Sequence, residues 1–153
     1  MDARKFLDTA RILLNPAHVP PTPQAFRTAI SRSYYAVYGV VCDLLDKAGI
    51  EIIEPNQGHN AAKQVLLFCS DDLSKRLGGD LKTLHGQRWS ADYDMKDQLI
   101  GTYETASVGL KQAEDCIGDI DSLFRSKGSF AQMKSKLKKW VDDNPGKGLK
   151  NKS

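Results

Sequence analysis

The sequence predicts an all-α fold, and three observations carry that expectation. From Ala25 to Leu45 apolar residues return at helical spacing, at Phe26, Ile30, Val37, Val40, Val41, Leu44 and Leu45. A second long stretch places Tyr103, Ala106, Leu110, Ala113, Ile117, Ile120 and Phe124 at alternating gaps of three and four, a coiled-coil-like seam. Glycine and proline collect where helices would break, β-branched runs are short, and charged residues make up 27% of the chain. With 153 residues the chain makes one domain, long enough to bury a core without staples.

Each element follows in turn. A first helix is expected from about Ala3 to Leu14, with Phe6, Leu7, Ala10, Leu13 and Leu14 on one side. Asn15-Pro16 stops it, and Pro16, Pro20, Pro21 and Pro23 favour an extended link. Thr22 or Pro23 opens the central helix, which ends near Ala48-Gly49. The apolar run Ile50–Glu54 is expected to be a packed loop, because a lone strand has nothing to pair with. After a turn at Pro55–Gly58, a third helix runs from His59 or Asn60 to about Leu73, and Gly78-Gly79 breaks the chain again. Ala91–Asp94 reads as a non-helical corner, with Asp94 capping a long helix from about Met95 to Arg125. Ser129 caps a last helix whose face holds Phe130, Met133, Leu137, Trp140 and Val141. The expected organisation is thus a helical body over 1–125, an amphipathic helix over 126–143 packed on it, and a flexible basic tail over 144–153.

Charge is uneven. Residues 126–153 hold eight lysines against two aspartates, whereas the remainder is mildly acidic. Such an end suits contact with nucleic acid or an acidic partner, and equally a solubilising tail. Cys42, Cys69 and Cys116 are far apart and form no paired motif, so they are expected to be small buried hydrophobes in a reducing, cytoplasmic setting. No run is long and apolar enough to span a membrane. The three histidines, His18, His59 and His85, make no metal set, and no cofactor motif is present.

The central helix carries more than core. Arg27, Ser31, Arg32, Ser33, Tyr34 and Tyr35 interrupt its apolar stripe. Tyr34 and Tyr35 point about 100° apart. One therefore packs while the other lines a cleft or an interface.

The stretches FLDTARILL and AFRTAISRSYYAVYGVVCDLL resemble the opening helix pair of a HEPN domain, whose second helix carries Tyr-Tyr-Ala before an apolar run ending in Leu-Leu. Here that is Ser31-Arg32-Ser33-Tyr34-Tyr35-Ala36 through Leu44-Leu45. Arg88-Trp89-Ser90-Ala91-Asp92-Tyr93-Asp94 resembles the Arg-x-x-Ala-Asp-Tyr-Asp segment of one branch, and Gly58-His59 also fits it. The resemblance spans roughly residues 3 to 125. It implies an up-and-down bundle of four or five helices, usually a homodimer and often partnered by a nucleotidyltransferase. In some members an Arg-x(4–6)-His motif makes a metal-independent ribonuclease. There the 2′-OH attacks the adjacent phosphate, with histidine as acid or base and arginine on the phosphate charge.

The chain departs from that motif. Arg88 is followed at the required spacing by Tyr93, Asp94 and Met95, not by histidine. Arg11 and His18 have the spacing, but Asn15-Pro16 breaks the helix between them. Two functions stay open. One is a non-catalytic module binding nucleotide, RNA or a partner protein within a toxin–antitoxin or defence system, through Arg27, Arg32, Tyr34, Tyr35 and Asp94. The other is an unusual ribonuclease using Arg88, Asp92, Tyr93 and His59. A carboxylate on Arg88 favours the first, and His59 meeting Arg88 within one phosphate's reach favours the second.

Overall fold

The computed structural model describes residues 2–153. Its helices are α1 (Arg4–Leu14), α2 (Pro23–Lys47), α3 (Gly58–Phe68), α4 (Asp72–Tyr93), α5 (Tyr103–Arg125) and α6 (Lys127–Asp143). Two three-residue strands, β1 (Ile50–Ile52) and β2 (Leu149–Asn151), complete an otherwise all-α fold. Among the described residues no helix is long and apolar enough to cross a membrane.

Local chemistry sets most boundaries. The Thr22 hydroxyl accepts the Ala25 amide at 3.1 Å, with Pro23 in the first helical position, so α2 starts with a complete N-cap. It stops where Gly49 takes φ +78°, which a side chain would resist. Asp71 accepts the Ser74 amide at 2.8 Å and opens α4.

The chain forms two compact units, Met1–Val40 with Asp80–Ile117 and Val41–Gly79 with Gly118–Ser153. In the first, α1, α2, α4 and α5 share one core of Ala10, Leu14, Ala29, Ile30, Ala91, Ile100 and Ala106, flanked by Leu13, Phe26 and Leu110. Phe26 meets Tyr103 edge to face at 6.0 Å, so the two long periodic stretches do pack on each other there. In the second, α6 buries Met133, Leu137 and Val141, and β2 pairs antiparallel with β1, Ile50 opposite Asn151 and Ile52 opposite Leu149.

Seven local expectations are corrected, two of them boundaries: α3 ends at Phe68 rather than near Leu73, and α6 opens after Ser126 rather than Ser129. Ile50–Ile52 is a strand, because its partner comes from the tail. That tail is accordingly not loose: Leu149 is buried, the Lys152 amide donates to the Gly49 carbonyl at 2.7 Å, and Lys152 pairs with Asp46. Gly78-Gly79 breaks nothing and sits inside α4. A Cβ on Gly78 would stand 2.8 Å from the Leu67 amide nitrogen, so glycine there admits a close approach of α3 and α4. Ala91–Tyr93 is the last turn of α4, not a corner. Finally, α5 begins at Tyr103 because Thr102 caps it. Asp94 and Asp97 instead accept the Lys96 and Leu99 amides in turns at 3.1 Å each.

Candidate functional site

The end of α4 is held by an arginine from α2. Arg27 Nη1 donates to the carbonyls of Ser90, Ala91 and Asp94, and Nη2 to that of Asp97, at 2.6–3.2 Å. Ser90 and Ala91 lie in the last turn of α4, where a cation is favoured by the helix dipole. The Ser90 and Asp94 carbonyls also accept the Asp94 and Asp97 amides. Arg27 thus closes α4 and fixes the turn after it. The sequence places it among the binding residues; it hydrogen-bonds to four backbone carbonyls and also lines the cleft described below.

Arg88, one turn before that end, lies among four groups. Its Nε is 2.9 Å from Asp92 Oδ2, an ion-pair contact rather than an aligned hydrogen bond. Its Nη2 donates to the Tyr35 hydroxyl at 2.7 Å. The guanidinium also lies over the rings of Tyr35 and Tyr93, 5.2 and 5.5 Å from their centroids. The Ser31 hydroxyl donates to the same Asp92 oxygen at 3.4 Å. Arg88 Nη1 and Asp92 Oδ1 keep their hydrogen-bonding capacity free, on side chains 18% and 30% exposed.

Aromatic rings extend the cluster. Phe6 of α1 lies 6.0 Å from Tyr35 and carries the Arg32 guanidinium at 5.6 Å. Arg32 has no ion pair or hydrogen bond among the described residues. Tyr93 and Trp89, 61% and 55% exposed, contact each other at 6.0 Å. Beside them opens a cleft of about 830 Å³ lined by Gln24, Thr28, Asp92, Tyr93, Met95 and Gln98, among others.

Arg88, Asp92, Tyr93 and Tyr35 are therefore brought together, with Arg32 at the edge. Tyr34 is not part of the surface. It is completely buried and stacks with Tyr38 at 6.0 Å and His85 at 5.0 Å. Asp94 is a turn residue, its carbonyl on Arg27 and its carboxylate on the Lys96 amide. His59 belongs to the other compact unit, near the start of α3, and no imidazole is among Arg88's partners. Sequence reasoning did not place Phe6 in this cluster. Its contacts with Tyr35 and Arg32 cross between helices, and no local spacing announces them.

The arrangement can do two things chemically. Arg88 and Asp92 offer a donor next to an acceptor with little net charge, which suits the edge of a planar heterocycle better than a phosphate. The exposed rings of Tyr93 and Trp89 offer faces for stacking. Among the described residues no three His, Cys, Asp or Glu side chains gather as a metal site would require. No family model, curated protein or solved structure matches this chain.

Proposed function

We propose that the protein is a HEPN-like binding module for a nucleotide or a short single-stranded RNA segment, without ribonuclease chemistry. One observation carries this reading: Arg88 is already held by the Asp92 carboxylate and the Tyr35 hydroxyl, beside exposed rings and a cleft. In the bound state a base stacks on one of the two exposed rings, Tyr93 or Trp89, whose planes are tilted by 51°, and its edge meets Arg88 Nη1 and Asp92 Oδ1. A phosphate of the same nucleotide reaches Arg32, whose charge no carboxylate offsets among the described residues.

Cleavage would need a base near neutral pH. No imidazole is among Arg88's partners, and a tyrosine with a reference pKa of about 10 is a poor base. The toxin–antitoxin or defence setting, the homodimer and a nucleotidyltransferase partner belong to the same proposal and rest on the HEPN resemblance.

The test is equilibrium binding of labelled single-stranded RNA and of nucleoside monophosphates to the full chain. Tyr93→Ala should weaken binding by about 1–3 kcal/mol, the value of one base–aromatic stack. Asp92→Asn should change which base is preferred. Unaltered affinity and preference in both variants would remove this cluster from recognition.

A further inference from the structure

The second unit carries a charged surface that the cluster around Arg88 does not use. Around its buried face of Met133, Leu137 and Val141, α6 carries Lys127, Lys136 and Lys139, which are exposed, and Lys134 and Lys138, which are half-buried, with Lys138 Nζ beside Gly49. Lys139 is held by Asp143 at 2.6 Å, and that hydrogen bond raises its pKa above the ordinary lysine value. The side chains of the other four enter no ion pair among the described residues. Neither does that of Lys147 in the loop beyond, whereas Lys150 pairs with Glu51 at 3.3 Å and Lys152 with Asp46.

Three of the unpaired lysines form a row. Lys127, Lys134 and Lys138 fall within about 40° around the helix and along about 16 Å of its axis. One strand of a duplex presents about five phosphates over such a length.

What surrounds the row selects the partner. No large apolar side chain of α6 is exposed. A protein partner would seek a desolvated apolar or aromatic centre, and a membrane-surface helix needs an outward apolar face. Met133, Leu137 and Val141 are turned inward and Phe130 and Trp140 are half-buried, so α6 offers no fully exposed large apolar centre. A phosphodiester backbone needs only cations.

We propose that the lysine face of α6, with Lys127, Lys134 and Lys138 as its row, is a sequence-independent binding surface for a nucleic-acid backbone. It does not rest on the base-reading cluster, with which it shares no residue, and either can fail alone.

Fluorescence anisotropy of the full chain with a labelled single-stranded RNA and a labelled duplex, between about 50 and 200 mM salt, tests this. Replacing the three lysines together (Lys127→Gln, Lys134→Gln, Lys138→Gln) should weaken binding about tenfold or more. It should also lower the slope of log affinity against log salt by about 2–3, since each phosphate contact contributes about 0.7 on a single strand and 0.9 on a duplex. Arginine at the same three positions should restore both. Lys139→Gln, which removes an already paired charge, should leave both near wild type. The proposal is overturned if the triple variant keeps the wild-type slope. It is equally overturned if the wild type ignores both probes at low salt while binding vesicles of anionic phospholipid.

Discussion

Arg27, Arg32 and Arg88 in one unit and the lysines of α6 in the other are alike in the sequence, as cations spaced along helices. Their surroundings make them different. Arg27 spends its donors on four carbonyls, and Arg88 is divided between a carboxylate, a phenol and two rings. On α6 a single lysine finds an aspartate at salt-bridge distance. The first unit uses arginine as a fixed part, because a planar fork can satisfy several acceptors at once. The second leaves Lys127 and Lys136 in water, where a strongly hydrated ammonium on a flexible stem costs little to keep unpaired, and keeps Lys134 and Lys138 half-buried without a carboxylate. A count of charges therefore says little about which charges a ligand can reach.

The contrast breaks most visibly at Arg27. Arg27→Ala should destabilise the fold by about 2–3 kcal/mol in urea unfolding, because four part-buried carbonyls lose a charged donor. Arg27→Lys should recover only part of that, since one ammonium cannot span all four. A loss below about 0.5 kcal/mol, the size of an ordinary surface substitution, would mean that Arg27 is as free as the α6 lysines. Leu149→Ala comes next, at about 2–3 kcal/mol, as expected for a buried leucine and not for a mobile tail. The adjacent glycines of α4 should then diverge in thermal melts. Gly78→Ala loses about 1–3 kcal/mol through overpacking against Leu67. Gly79→Ala, with nothing within 4 Å of its new methyl group, gains about 0.5–1 kcal/mol of helix propensity. The smallest effect is at Lys139, where Gln should shift stability by less than about 0.5 kcal/mol because the pair is exposed.

Much of the helical fold was legible because its determinants are local. The three-and-four seam of α5, and Thr22-Pro23 before α2, each lie within a turn or two of what they control. The failures share the opposite property. Ile50–Ile52 could not be read as a strand because its partner lies at Leu149–Asn151. Gly78 reads as a breaker unless Leu67 is known to lie against it. Asp94, Asp97 and Thr102 can all cap, and only the packing of the turn decides which of them opens α5. Within the candidate site, the Arg88–Asp92 pair was visible as an i,i+4 spacing. The placement of Tyr35 and Phe6 on it was not, since those contacts join three helices.

The proposed function makes Arg88 a paired cation in a recognition site, not part of a cleaving one. One measurement tests it most directly: incubation of the purified wild type and Arg88→Ala with labelled single-stranded RNA in chelator, reading bound and cut fractions together. The account predicts that the wild type binds the RNA and returns it at full length, and that Arg88→Ala binds it more weakly. Metal-independent cleavage by the wild type, abolished in Arg88→Ala, would contradict it.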